Sequence, residues 1–220
     1  MLDVLDLLRP WVADVTVATL DDDGPGVTVD LPDTATTLIM RVGADGRRDV
    51  MVAGPRTRAL YHRVGGPGPT CLQLRLRPGG ARLLVDRPVH DLVDRLVPVA
   101  DLEIPAAQRT PHDDLVEAAT GLLAFSGVGA TARSLGVSER QLRKLFTRDV
   151  GLSPKHFARI DRVRTVLAAR ADDLADVAAR SGYYDQSHMT TEFRRLMGVP
   201  PAAFNAGRLP SPSPCRSLDG

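Results

Sequence analysis

The chain has 220 residues, 43% of them hydrophobic and 25% charged, the balance of a soluble globular protein with one large or two small domains. This composition excludes a disordered or collagen-like chain, and charge or Pro/Gly interrupts every window long enough to span a membrane. The formal net charge of +1 conceals a division, since residues 1–125 carry 13 basic and 18 acidic side chains while residues 126–205 carry 13 and 8, so an acidic half precedes a basic half suited to a polyanion.

The N-terminal elements are short and β-branched. Residues Val15 to Leu20 predict a strand that ends at the turn signal Asp21-Asp22-Asp23-Gly24-Pro25-Gly26. Val27 to Leu31 alternates and is broken by Pro32-Asp33. Thr37–Val42 and Asp49–Ala53 read as a hairpin about Gly43-Ala44-Asp45-Gly46, and Leu72–Arg77 alternates apolar and polar residues as a half-buried strand does. Ala81–Val85 and Val89–Leu96 predict two short helices, the second opened by Pro88. The stretch 105–112, with Pro105 and Pro111, is the expected linker. No catalytic spacing occurs in this half. His62 and His90 have no nearby Cys or His partner, and Cys71 reads as a small buried hydrophobe. Arg56, Arg58, Arg63, Arg75 and Arg77 either line an anion pocket or occupy exposed strand positions.

The basic half contains an internal repeat. Ala132-Arg133-Ser134-Leu135-Gly136 is followed by Phe146, Gly151, Pro154 and Phe157. Ala178-Ala179-Arg180-Ser181-Gly182 is followed by Phe193, Gly198, Pro201 and Phe204. The glycines ending these runs are offset by 46 residues and every later landmark by 47, so one residue is inserted after the second turn. Each copy reads as an alanine-rich helix (131–135, 174–181), a glycine C-cap, a new N-cap at Ser138 or Asp185, and a second helix. The second helices are predicted over 139–149 and 186–197, with Leu142, Leu145 and Phe146 on one apolar face and Met189, Phe193, Leu196 and Met197 on the other. Helix, glycine turn, helix is the helix-turn-helix arrangement.

The outward faces carry side chains that bond base edges and phosphates: Arg140, Gln141, Arg143, Lys144 and Thr147 in the first copy. Gln186, Ser187, His188 and Thr191, with Arg194 and Arg195 one turn on, fill the same role in the second. One such face is as often a solvated surface, but two behind the same turn point to double-stranded DNA. A connecting helix over 154–170 spans roughly 25 Å at about 1.5 Å per residue, which suits two helices in successive major grooves about 34 Å apart.

One motif is Gly151-Leu152-Ser153-Pro154-Lys155-His156-Phe157-Ala158-Arg159-Ile160-Asp161-Arg162-Val163. A second is Ala178-Ala179-Arg180-Ser181-Gly182-Tyr183-Tyr184-Asp185-Gln186-Ser187-His188-Met189, with Phe193-Arg194-Arg195 and Gly198-Val199-Pro200-Pro201. These motifs carry a resemblance of residues 113–206 to the DNA-binding module of the bacterial AraC/XylS family of transcription regulators. It implies seven helices, sequence-specific promoter binding, contacts from Arg140, Arg143 and Lys144 in the first unit, and contacts from Ser187, His188 and Thr191 in the second. Thr191 replaces an arginine common in the family, which implies less base readout there; Tyr183 and Met189 replace phenylalanines and stay apolar. The N-terminal half is similar, more weakly, to the β-rich domain of one subgroup, through Val52-Ala53-Gly54-Pro55-Arg56-Thr57 and Leu74-Arg75-Leu76-Arg77-Pro78-Gly79-Gly80-Ala81.

The expected fold class is α+β: a β-rich, barrel- or sandwich-like N-terminal domain with short helices (1–104), then an all-α domain with two helix-turn-helix units (113–206) and a disordered tail (207–220). The expected function is transcription regulation under control of the N-terminal domain, without enzyme activity, cofactor or metal. By analogy with the family, a small-molecule effector, RNA polymerase and a second copy of the chain are the further partners considered. The acidic N-terminus and two cysteines predict a cytoplasmic protein with no membrane partner. The alternative is an alkyl-transfer repair protein using Cys71 or Cys215, since some of these carry the same module.

Overall fold

The computed structural model describes residues 6–19, 27–43, 46–63, 70–99, 108–169 and 174–213. In the N-terminal half, β1 (Val12–Thr19), β3 (Thr37–Val42), β4 (Arg48–Ala53), β6 (Thr70–Leu76) and β7 (Leu96–Pro98) form one antiparallel sheet in the order β1-β6-β3-β4-β7. Alternation works as expected: Val15, Leu74, Leu38, Val52 and Val97 stand opposite one another on successive strands. Leu38, Val52 and Leu74 of this row are fully buried, with Leu8 and Leu92 packed on them. β2 (Val27–Asp30) pairs with β5 (Leu60–Arg63) as a separate ribbon.

The second predicted helix, 89–96, is replaced by two elements. Only Val89–Leu92 is helical, as one 3₁₀ turn, and Leu96 begins β7. The reversal falls at Asp94, whose φ of 58° is the left-handed conformation. Its carboxylate accepts from the Thr57 N–H at 2.7 Å and the Thr57 hydroxyl at 2.6 Å, which holds that conformation in place. The first predicted helix is likewise a 3₁₀ turn, Gly80–Leu83.

Among the described residues, seven helices lie between 111 and 205: α1 (Pro111–Leu123), α2 (Val128–Ser134), α3 (Glu139–Asp149), α4 (Pro154–Ala169), α5 (Leu174–Arg180), α6 (Gln186–Met197) and α7 (Pro201–Asn205). They enclose the larger core, centred on Leu142, Phe146, Ile160, Val163, Met189 and Phe193. Among the described residues, no helix is long and apolar enough to cross a membrane. Val29, Leu31 and Ala59, from or beside the β2–β5 ribbon, pack against this helical core. The chain is thus a β-rich N-terminal part with short helices joined to an all-α part, as the sequence predicts.

Polar contacts bind the two parts. Arg77 pairs with Glu117 at 2.8 Å, and Arg164 reaches the Pro32 carbonyl at 3.2 Å and Asp33 at 3.3 Å. Ser213 donates its N–H to the Tyr61 carbonyl at 2.8 Å, so the chain beyond α7 returns to β5. Helix α1 opens at Pro111, inside the stretch read as linker, with a reciprocal capping box between Thr110 and Asp113. Asp113 is fully buried, and its two oxygens also accept from Arg82 at 3.0 and 2.8 Å.

Burial pushes the Asp113 pKa up, but the bonds from Arg82 and Thr110 outweigh it and hold the carboxyl at about 2. Because the folded value lies below the unfolded one, the ionised group contributes about 2 kcal/mol above the ordinary carboxylate range. That contribution is lost as pH falls through about 4 toward 2. Asp113→Asn is therefore expected to lower the urea midpoint at pH 7, the gap from wild type shrinking as pH falls. A gap independent of pH would contradict this origin.

Candidate nucleic-acid interface

The repeat in sequence is a repeat in geometry. Gly136 and Gly182 both adopt left-handed backbone, with φ of 65° and 74°, a conformation that only glycine takes without strain. In the first copy the Gly136 N–H bonds the Arg133 carbonyl at 3.1 Å and the Val137 N–H bonds Ala132 at 3.0 Å. In the second, Gly182 bonds Ala179 at 3.2 Å and Tyr183 bonds Ala178 at 3.0 Å. These paired bonds are the Schellman closure of a helix C-terminus. Downstream, Phe146 meets Phe157 edge-on with centroids 5.4 Å apart, and Phe193 meets Phe204 edge-on at 6.0 Å. The inserted residue is Tyr184, whose side chain is 94% exposed and disturbs no packing.

Each second helix begins at the expected cap. The Ser138 hydroxyl accepts from the Gln141 N–H at 3.2 Å, and the Gln141 side-chain oxygen accepts from the Ser138 N–H at 2.8 Å. Gln141 thus serves as a cap as well as a candidate contact. In the second unit an Asp185 oxygen accepts from the His188 N–H at 2.7 Å. Helices α3 and α6 bury Leu142, Phe146, Met189, Phe193, Leu196 and Met197, and Leu145 is half-buried.

All eleven candidate side chains are exposed: Arg140, Gln141, Arg143, Lys144 and Thr147 on α3, and Gln186, Ser187, His188, Thr191, Arg194 and Arg195 on α6. Arg143 is held by Glu139 one turn back at 2.9 Å. Among the described residues, Arg140, Lys144, Arg194 and Arg195 have no carboxylate within ion-pair distance, so their charge faces solvent. The structure does not gather the five N-terminal arginines into an anion pocket. Arg56 pairs with Asp30 at 3.4 Å, Arg75 with Asp33 at 2.7 Å and Arg77 with Glu117; Arg63 is exposed on β5.

Sequence reasoning missed what positions α6. Glu192 lies on its buried face, accepting from Arg162 of α4 at 2.7 and 3.2 Å, with Arg159 of α4 at 3.3 Å. The Arg162 guanidinium also lies over the Tyr183 ring, 5.1 Å from its centroid. The C-terminal end of α6 is capped from the β-rich part. The Ala59 N–H donates to the Leu196 carbonyl at 2.8 Å and the Tyr61 hydroxyl donates to the Met197 carbonyl at 2.6 Å. The signal available for Glu192 was an acid spaced three residues from Met189, inside the apolar stripe. Nothing local marks Ala59 and Tyr61.

Cys71 is buried in β6, and burial pushes its thiol pKa up against the opposing effect of Arg41, the reverse of an activated nucleophile. Cys215 lies outside the described residues.

A family described as a helix-turn-helix domain matches residues 131–207. An uncharacterised helix-turn-helix-type transcriptional regulator of Escherichia coli K12, YidL, is 30% identical over 79 residues. That match covers 34% of this chain and 27% of YidL, so the chain spans about a quarter of that relative's length. Among solved structures, ToxT of Vibrio cholerae O395, bound to a naphthalenyl-butenoic acid, covers 88% of this chain and 98% of its own at 8% identity, with a TM-score of 0.50. The C-terminal domain of the response regulator AraT from Geobacillus stearothermophilus covers 51% of this chain and 98% of its own at 20% identity, with a TM-score of 0.41. The match over residues 131–207 covers the larger part of both helix-turn-helix units, and it bears out the resemblance of this part of the chain to the AraC/XylS family of transcription regulators.

Proposed function

We propose that this chain is a sequence-specific DNA-binding regulator of transcription, with α3 and α6 entering successive major grooves of one promoter face. The observation that carries this reading is the duplicated unit itself. Two caps, two glycine turns and two phenylalanine pairs present two outward helix faces whose charge is mostly unneutralised. Helix α4, with 16 residues, sets the units apart by roughly 24 Å along its axis. Arg140, Arg143, Lys144 and Thr147 serve the first groove, and Gln186, Ser187, His188, Thr191, Arg194 and Arg195 the second, with Gln141 divided between cap and contact. Affinity comes largely from arginine–phosphate contacts and specificity from base edges.

The residues up to about 104 act as the regulatory part. The cap bonds from Ala59 and Tyr61 to the end of α6 supply a route, because any ligand or partner that shifts β5 removes two bonds from the second recognition helix. A small-molecule effector, RNA polymerase and a second copy of the chain are the partners such control would use. The alkyl-transfer alternative gains no support from Cys71, buried with its thiol pKa raised.

Selection of binding sites from a random duplex pool by the full chain tests the reading. The expected result is a site of two short elements about one helical turn apart, with affinity falling steeply as salt rises. Binding blind to sequence, or no binding, would overturn it.

A further inference from the structure

The segment Gly54–Ala59 of the β-rich part is fixed at every residue around one side chain that is left open. Gly54 lies so close to the 92–95 turn that an added Cβ would collide with the Leu92 carbonyl oxygen, and its N–H bonds the Arg95 carbonyl at 3.0 Å. Arg56 exchanges backbone bonds with Asp33 at 2.8 and 3.0 Å, Thr57 is clamped by Asp94, and Ala59 is bonded to the end of α6. Arg58, between two anchored residues, is exposed, and among the described residues no carboxylate lies within ion-pair distance of it.

Arg58 opens onto a groove that it shares with Thr57, His156, Thr191 and Arg195. Thr191 is central to the exposed face of α6 and Arg195 lies one turn on, so the groove flanks the recognition surface. Its charge is lopsided. Glu192 is already occupied by Arg159 and Arg162, and Asp94 by Thr57, whereas Arg58 and Arg195 have no acid partner among the described residues. The surroundings of His156 report the same excess: burial pushes its pKa down, and Arg159, Arg195 and Arg58 reinforce that against Asp94 alone.

We infer that Arg58 is part of the DNA-binding surface, gripping a backbone phosphate at the edge of the groove that α6 enters. This rests on the proposed two-groove binding and deepens it, because the β-rich part then supplies a contact as well as control. Rigid presentation suits the role, since a guanidinium held by an anchored loop loses little side-chain freedom on binding. A phosphate contact adds affinity for any sequence and carries no base preference.

The test compares the full chain with its Arg58→Ala and Arg58→Lys variants on a 30-base-pair duplex of arbitrary sequence and on a selected site. Arg58→Ala is expected to bind both duplexes more weakly, by roughly threefold or more near 0.15 M salt, with the salt slope reduced by about one. The ratio between the duplexes should stay constant, Arg58→Lys should restore most of the slope, and thermal midpoints should match. Unchanged affinity and slope would overturn the inference while leaving the two-groove reading intact. Tighter binding by Arg58→Ala would also overturn it, identifying the loop as an obstruction. Wild-type chain that binds neither duplex would defeat both.

Discussion

Glu192→Ala is expected to be among the most destabilising single substitutions in the helical part, at about 3 kcal/mol. The carboxylate is buried on the core side of α6 and meets two guanidiniums from α4. Removing it leaves Arg159 and Arg162, themselves less than a third exposed, facing each other without a counter-charge. The cost of a broken buried pair is chiefly this unpaired remainder, ~3–5 kcal/mol in general, and partial exposure of the arginines places it at the lower end. Against a typical total of about 5–15 kcal/mol, the loss is large. Arg162→Ala should cost less, since Glu192 keeps Arg159, although the stacking on Tyr183 also goes. Urea unfolding of the three proteins measures both numbers. A Glu192→Ala change within about 0.5 kcal/mol of wild type would contradict the assigned role. The functional consequence follows from geometry: this network sets the roll of α6 on α4, so the variant should lose preference at the DNA element read by α6 before the one read by α3.

What was legible in the sequence is what is determined locally. The bounds 139–149 and 186–197 agree with the observed helices because a side-chain cap at Ser138 or Asp185 fixes each start. Glycines with left-handed φ fix the turns that precede them. The hairpin of β3 and β4 was legible for the same reason, two alternating runs about a short turn. Strand β5 was missed because it has four residues and a partner, β2, thirty or more residues away. The helix expected over 89–96 failed because Asp94 takes left-handed backbone in answer to Thr57, a contact 37 residues distant. Glu192 and Arg58 follow the same rule. Arg58 is unremarkable in its own segment and Glu192 is marked there only as an acid inside an apolar stripe, so each acquires its role from charges supplied, or not supplied, by segments folded against it. The capping box at Thr110 was within reach, as a Thr with Asp three residues on before an apolar run.

Arg143→Ala should separate recognition from stability. Arg143 is exposed on α3, and its ion pair with Glu139 is a surface contact within the helix. Such pairs contribute ~0.3–0.5 kcal/mol, so the thermal midpoint should barely move. A good bidentate contact to a base edge, by contrast, is worth about 1–3 kcal/mol of discrimination, or roughly 5- to 150-fold in relative affinity at one base pair. Competition between a selected duplex and its single-base variants should therefore find preference relaxed at one position of the α3 element and retained in the α6 element. Glu139 sharpens the expectation. In the free protein it holds Arg143 one turn away, so binding exchanges that ion pair for a base contact, and Glu139→Ala should tighten binding to arbitrary duplexes by removing the competing acid. Arg162→Ala supplies the contrast, because a side chain committed to Glu192 and Tyr183 acts on the seating of α6, so any loss of preference should fall in the α6 element and leave the α3 element unchanged. If Arg162→Ala relaxed preference in the α3 element as much as Arg143→Ala, Arg143 would be a positioning residue, and base readout in the first groove would fall to Arg140 and Lys144.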